Sequence, residues 1–200
     1  ATRHKKFYNP CKGIKIKLPD DTDPDPFTLD EIKAIVETET KRIQEKNMIE
    51  FMIWDGPRVS EAMALCWEDV LDLDKGIIRY QRAKVNGKYK VTKTKRSTRM
   101  HTLLKPAREA LQRQWPLTGH GDKIEIEVTD RDNKTIRKIK IRTVFCNSRT
   151  GLSHNKDQAI SDRFFKFHCR NANVRYRPAS QCRHTFISQM LTLGAVPMHW

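Results

Sequence analysis

The chain has 200 residues, of which 38% are hydrophobic, so it can bury one core of ordinary domain size. Lysine and arginine outnumber aspartate and glutamate by 39 to 24, and the net charge of +15 favours a polyanionic partner, with nucleic acid ahead of acidic lipid. No window approaches the roughly 18 apolar residues of a membrane span, and the N-terminus is charged where a signal peptide is apolar, so we expect a cytoplasmic protein with no membrane partner.

The first 27 residues are rich in lysine, aspartate and proline. They end in the run DDTDPDP, which cannot hold a helix. We interpret residues 1–27 as a linker from an upstream domain and residues 28–200 as one compact domain. Thr28 and Glu31 form a predicted capping box at the start of a helix that is expected to run to about Lys46.

Two further helices are predicted to flank a tight connection. An apolar stretch over residues 48–54 stops at Asp55-Gly56, and the next helix opens near Ser60 and carries apolar residues inward as far as Val70. Arg58 therefore lies in the connection between two buried helices.

The middle of the chain is predicted to form strands. Residues 77–85 and 88–93 flank Asn86-Gly87, which is the strongest short hairpin signal. Residues 99–103 would add a third strand and complete a small antiparallel sheet.

Helices alternate with one more hairpin in the last half of the chain. The predicted elements are a helix over 106–115, a hairpin of strands 124–128 and 135–141, and helices over 157–171 and 181–193. The last helix ends at Gly194, as helices commonly do. The expected fold class is α+β, a mostly helical domain with a small antiparallel sheet.

Cysteine and histidine spacing gives no sign of a metal site. The five cysteines are widely spaced and include no Cys-x-x-Cys pair, and their odd number fits a reducing compartment better than a disulfide scaffold. The histidines also lack metal-ligand spacing. We expect neither a metal nor a cofactor.

Two arginines stand at the mouths of predicted helices. Arg58 follows Gly56-Pro57, and Arg183 lies in the first turn of the last helix, where orphan backbone N–H groups also favour an anion. A guanidinium is planar, always charged and bidentate toward phosphate. Phosphoryl transfer without a metal needs such donors around the non-bridging oxygens. Both arginines would face one phosphate if their helices pack side by side.

The sequence GPRVSEAMALCWEDV (residues 56–70) surrounds Arg58, and Arg183-His184-Thr185-Phe186 is followed by Leu191, Gly194 and Pro197. These two stretches resemble the first and the second arginine box of the tyrosine recombinases, the phage-integrase family. The resemblance covers roughly residues 20–200. It implies site-specific recombination, in which a tyrosine attacks the scissile phosphate, forms a 3′-phosphotyrosine and allows integration or excision of a mobile element.

The resemblance also implies roles for individual residues. Arg58 and Arg183 would stabilise the transition state, and Lys93 would protonate the leaving 5′ oxygen. Glu61 would tie a catalytic neighbour through a salt bridge. Basic residues on and near the predicted hairpin of residues 77–93 are expected to contact the DNA backbone: Lys90, Lys95, Arg96 and Arg99.

The chain departs from the family pattern at two places. Ser180 stands where the family usually has histidine, and a serine keeps hydrogen bonding but not proton transfer near neutral pH. His184 is offset from Arg183 by about a quarter-turn of helix. Ser180 and His184 are therefore secondary catalytic candidates. The nucleophile is expected beyond Trp200, because no tyrosine present stands in its place: Tyr8, Tyr80, Tyr89 and Tyr176.

The resemblance implies a longer parent protein that binds double-stranded DNA as a homotetramer, with accessory DNA-bending proteins as further partners. The 200-residue fragment is expected to be inactive alone. A non-catalytic DNA-binding module or a decayed integrase remnant is the alternative, which Ser180 and the missing tyrosine favour. A type IB topoisomerase shares the chemistry, but the short boxes favour an integrase.

Overall fold

The computed structural model describes residues 24–92 and 98–194. Most of the predicted linker lies outside these ranges, and so do three predicted site residues, Lys93, Lys95 and Arg96. Across the described ranges, none of the helices has the length and apolar character needed to cross a bilayer.

Seven α-helical segments occur in these ranges: α1 (Leu29–Glu37), α2 (Ile43–Asp55), α3 (Val59–Ala64), α4 (Lys105–Thr118), α5 (Gln158–Ile160), α6 (Lys166–Asn171) and α7 (Gln181–Thr192). A π-helical turn, Ser161–Phe165, joins α5 to α6. The predicted capping box of α1 is confirmed, because Thr28 and Glu31 each accept a hydrogen bond from the other's backbone N–H.

The predicted first helix is wrong in its end point, since α1 stops at Glu37 and Lys46 belongs to α2. Thr38 is extended at the end of α1, and its hydroxyl donates to the Ala34 carbonyl at 2.7 Å. Threonine side chains compete with the helix for backbone groups in this way. The chain then turns, and Lys46 Nζ donates back to the Thr38 carbonyl at 2.9 Å.

The predicted third helix is also too long. α3 ends at Ala64, Leu65 is extended, and Val70 belongs to a strand. The Leu65 carbonyl accepts a hydrogen bond from the Val144 N–H at 3.1 Å, so pairing with a distant segment replaces the helix.

The strands form two sheets, which corrects the expectation of one small antiparallel sheet. The first sheet is antiparallel and contains β1 (Val70–Asp72), β2 (Ile77–Tyr80) and β5 (Arg99–Thr102). The second contains β3 (Arg82–Val85), β4 (Lys88–Val91), β6 (Ile124–Thr129) and β7 (Ile136–Ile141), in that order.

Pairing within the second sheet is mixed. The β3–β4 hairpin at Asn86-Gly87 and the β6–β7 hairpin are confirmed, but β4 and β6 run parallel. The predicted strand over residues 77–85 breaks at Gln81, and its two halves belong to different sheets. The α+β class is confirmed.

The main core surrounds α2, which packs against both α4 and α7. Its apolar residues are almost fully buried: Met48, Ile49, Phe51, Met52 and Ile53. Each such side chain contributes about 1.5–3 kcal/mol of burial free energy. The C-terminal end of α2 is therefore held firmly beside α7, the helix that carries Arg183.

The segment that precedes α1, residues 24–28, lies against α7. Phe27 is only 1% exposed, and its N–H donates to Thr185 Oγ1 at 2.9 Å. The Asp25 N–H donates to Gln181 Oε1 at 3.2 Å. We call residues 24–28 the leading segment.

Candidate active site

The turn after α2 brings two predicted boxes together. Gly56 adopts a left-handed conformation (φ 69°), and its N–H donates to the Met52 carbonyl at 3.0 Å. A Cβ at this position would lie 2.4 Å from Phe186 Cδ1, so α7 packs directly on the turn. The Gly56 carbonyl also accepts a hydrogen bond from Arg183 Nη1 at 2.6 Å.

Arg183 is partly buried among other positive charges. Burial, followed by the nearby charge of Arg58, lowers its pKa from the ordinary arginine value, and Arg99 acts in the same direction. Arginine nevertheless stays protonated in proteins, so the repulsion persists. A convergence of like charges favours an anion that can neutralise it.

The buried carboxylate of Glu61 partly neutralises these positive charges. Its Oε2 accepts a hydrogen bond from the Arg58 N–H at 2.9 Å, and its Oε1 lies 3.5 Å from Arg58 Nη1. The Arg58 side chain is 63% exposed, whereas that of Glu61 is 3% exposed. Arg58 thus keeps most of its side chain open to solvent.

Arg99 completes the group, although we expected it to contact DNA from the hairpin. Its Nη1 and Nη2 donate to the two oxygens of Glu61 at 3.3 and 3.2 Å, and its Cζ lies 4.7 Å from the centre of the Tyr80 ring. Burial alone would raise the pKa of Glu61, but hydrogen bonds from Arg99 and from the Arg58 N–H bring it below its ordinary value. Glu61 is therefore an ionised tether.

Beside this group lies a cleft of about 410 Å³, which we call the arginine cleft. Arg58 and Arg183 line it, and Ser180 and His184 form part of its wall at the start of α7. Both Ser180 and His184 are exposed. The cleft therefore combines guanidinium groups, a hydroxyl and an imidazole in a space that can hold a phosphate group.

A sequence profile of the phage integrase family matches residues 25–198. The chain belongs to the phage integrase family. Integrases of this family are tyrosine recombinases, so the resemblance in the two arginine boxes is confirmed at the level of the family.

Two curated relatives come from Escherichia coli strain K12. The prophage integrase IntR is 34% identical over 191 residues, which cover 94% of this chain and 46% of IntR. IntQ, which bears the name of a supposedly defective protein, is 31% identical over 194 residues, or 94% of this chain and 48% of IntQ. The chain thus spans about half the length of these two curated relatives.

Solved structures share the integrase fold. The Tn1549 transposon integrase, solved with circular intermediate DNA, matches with a TM-score of 0.67 and 18% identity over 90% of this chain and 58% of that one. The XerA recombinase matches with a TM-score of 0.60 and 18% identity over 89% of this chain and 53% of that one.

Several predicted integrase residues lie away from the arginine cleft or outside the described ranges. Three of them lie outside the described ranges: Lys93, Lys95 and Arg96. Lys90 is exposed on β4, opposite Ala83, and does not line the cleft. None of the described tyrosines lines the cleft either: Tyr80, Tyr89 and Tyr176.

The sequence interpretation missed other residues of the cleft wall, including Lys84, Asn86 and Asp157. Lys84 is buried, its Nζ donates to Ser153 Oγ at 2.6 Å, and burial lowers its pKa. The sequence did contain a signal for Lys84. Arg82 and Lys84 lie on the same buried face of β3, where a strand usually places apolar residues.

In the part of the chain that the structure describes, no three histidine, cysteine or acidic side chains are grouped to hold a metal ion.

Proposed function

We propose that this chain is the catalytic domain of a longer tyrosine recombinase that acts on double-stranded DNA through a 3′-phosphotyrosine. The observation that carries the proposal is that Arg58 and Arg183 line one cleft, while Glu61 ties Arg58 to Arg99 beside it. Positive donors placed in advance around a phosphate stabilise the charge that develops during phosphoryl transfer.

The residues of the chain would divide the work. Arg58 and Arg183 bind the non-bridging oxygens of the scissile phosphate, while Glu61 keeps Arg58 and Arg99 in place. Lys93 protonates the leaving 5′ oxygen, and Ser180 or His184 adds a hydrogen bond to the phosphate. Lys90, Lys95, Arg96 and Arg99 carry positive charge toward the DNA backbone.

The remaining parts of the proposal concern the whole protein. Residues 1–27 would link to an upstream domain, residues 28–200 would form the catalytic domain, and a tyrosine beyond Trp200 would be the nucleophile. The protein would work in the cytoplasm as a homotetramer on DNA, with accessory DNA-bending proteins. The DNA in the Tn1549 integrase structure supports the choice of substrate.

A second candidate is a DNA-binding module without catalysis, or a decayed integrase. Ser180 in place of the usual histidine favours it, and so does the name of the relative IntQ. A covalent protein–DNA adduct on a nicked substrate would identify a recombinase. Reversible, salt-sensitive binding alone would identify the module.

The decisive variant is Arg183→Ala in the longest reading frame that contains this chain. We expect adduct formation to fall by about 10²–10³-fold or more, as when a transition-state donor is removed. DNA affinity should weaken only modestly. Single-turnover cleavage of a nicked duplex measures the first quantity, and a fluorescence titration measures the second.

Arg113→Ala is a matched control, because Arg113 pairs with Glu50 at 2.5 Å between α4 and α2 and does not line the arginine cleft. It should leave the adduct rate of folded protein unchanged. Cleavage by Arg183→Ala within about tenfold of wild type would contradict the proposed role.

A further inference from the structure

Three side chains form a compact cluster directly behind the Gly56 turn. Asp55 ends α2, its side chain is 3% exposed, and its Oδ2 accepts a hydrogen bond from the Tyr80 hydroxyl at 2.5 Å. Its Oδ1 lies 2.5 Å from His101 Nε2. The Tyr80 and His101 rings stack with centroids 5.5 Å apart. These three residues, the Asp55 cluster, join α2 to β2 and β5.

A backbone path leads from this cluster to both arginines. Asp55 is followed by Gly56, whose carbonyl accepts the bond from Arg183 Nη1 at 2.6 Å. Only Gly56 and Pro57 separate Asp55 from Arg58. A change in the direction of the Asp55 carboxylate would therefore reorient the Gly56 carbonyl, which binds Arg183. It would also move the backbone from which the Arg58 side chain extends.

A side-chain path leads to the same place. The Tyr80 ring lies under the Arg99 guanidinium, and Arg99 binds both oxygens of Glu61. Glu61 in turn accepts a hydrogen bond from the Arg58 N–H. Cation–π and charge-assisted contacts of this kind fix the orientation of a guanidinium. The cluster thus supports Arg58 from two sides.

The charges of the cluster fit a fixed support. Burial, together with the Asp55 carboxylate, raises the pKa of Tyr80 well above its ordinary value, so its hydroxyl stays protonated and donates. Both oxygens of Asp55 are engaged. None of the three residues lines the arginine cleft, so they reach the phosphate only through other side chains.

We propose that the Asp55 cluster is a positioning device for the arginine cleft, with Asp55 holding the Gly56 carbonyl so that Arg183 and Arg58 converge on one phosphate. The identity of that phosphate as DNA rests on the proposed function, whereas the placement of the arginines does not. Loss of the cluster should slow cleavage far more than it weakens DNA binding, since the cluster does not touch the ligand.

A direct test measures the arginines in the chain itself. The side-chain Nε–H signals of Arg58 and Arg183 can be followed by NMR and assigned with Arg→Lys variants. Asp55→Ala should move both signals. Asp69→Ala is the matched control, because Asp69 is an equally buried carboxylate that pairs with Arg82, and it should leave them in place. Unchanged signals in Asp55→Ala would overturn the proposal.

Milder variants keep the test decisive if Asp55→Ala fails to fold. Tyr80→Phe removes one hydroxyl and keeps the ring beneath Arg99, and it should move the Arg183 signal by a smaller amount. Asp55→Asn keeps the size of the side chain and one carbonyl acceptor, so it should restore part of the wild-type position. No movement in Tyr80→Phe together with wild-type signals in Asp55→Asn would also overturn the proposal.

A second measurement uses the longest reading frame and a nicked duplex. Asp55→Ala should cleave about 100-fold more slowly, which is the cost of misplacing catalytic groups by about 1 Å. Its Kd for DNA should change by less than about threefold. Asp69→Ala should cleave like wild type once the folded fractions are matched. Equal losses in the two variants would mean that Asp55 is merely structural.

Failure of the two proposals can be told apart. If wild type forms no covalent adduct, the recombinase proposal fails, and the NMR signals still decide whether Asp55 positions the arginines. If wild type cleaves and the Arg183 signal stays in place in folded Asp55→Ala, only the positioning proposal fails.

Discussion

Asp69 and Glu61 are both buried carboxylates that bind arginines, but their arginines differ in how far they are open to solvent. Asp69 binds Arg82 beside the second sheet, where the two side chains are 3% and 8% exposed. Glu61 binds Arg58 and Arg99 beside the arginine cleft, and those arginine side chains are 63% and 28% exposed. A sealed guanidinium serves the fold alone, whereas an exposed one can also bind an anion.

Removing the sealed arginine should give the largest change in stability. Arg82→Ala leaves Asp69 buried without its ion partner, and we expect a loss of about 3–5 kcal/mol in the free energy of unfolding. Gln81 Nε2 still donates to Asp69 at 2.6 Å, which favours the lower end of that range. Urea denaturation measures the loss.

The double substitution Arg82→Met with Asp69→Leu is the control for this experiment. It replaces the pair with apolar groups and should lose much less stability than Arg82→Ala. Equal losses in the single and the double variant would show that packing, rather than an unpaired charge, explains the result.

The carboxylate at the cleft should affect catalysis more than stability. Glu61→Gln weakens the hold on Arg58 and Arg99, and we expect cleavage to slow by about 10–100-fold as the arginines lose their orientation. DNA binding should not weaken, because a negative charge has been removed. Glu50→Gln is the control, as Glu50 is also buried and paired with an arginine but lies between α2 and α4.

Glu61→Gln should also change how the stability of the fold depends on pH. The pKa of Glu61 in the folded protein is below its ordinary value of 4.5, so the ionised group stabilises the fold above about pH 4.5. This contribution is lost as pH falls through the folded pKa. Glu61→Gln should therefore lose less stability than wild type on acidification, and an identical acid profile would argue against the tether.

The smallest effect is expected at an exposed lysine outside the cleft. Lys90→Ala should reduce the slope of log affinity against log salt by about one and leave the cleavage rate nearly unchanged. Lys75→Ala is the comparison, because Lys75 is 76% exposed and pairs with Asp72 in the turn before β2. Equal salt slopes for Lys90→Ala and wild type would remove Lys90 from the DNA contacts.

Local signals in the sequence predicted much of this arrangement. The capping box at Thr28, the hairpin at Asn86-Gly87 and the glycine after α2 each depend on a few neighbouring residues, so their patterns were sufficient. The two arginine boxes were found for the same reason. What they do in catalysis stays a prediction.

Contacts between distant residues account for what was missed. The break at Gln81 arises because β2 pairs with β5 while β3 pairs with β4, and no local pattern distinguishes those partners. Asp55, Tyr80 and His101 come from three separate elements, and periodicity cannot place them together. Tertiary pairing overrides local preference at such positions.

The leading segment has a mechanical consequence. Its backbone N–H groups bind Gln181 and Thr185, which lie two positions before and two positions after Arg183 on α7. Tension applied to the chain ahead of Phe27 would reach the helix of that arginine directly, with no intervening loop to absorb it. The leading segment therefore links any force on the chain ahead of it to the placement of Arg183.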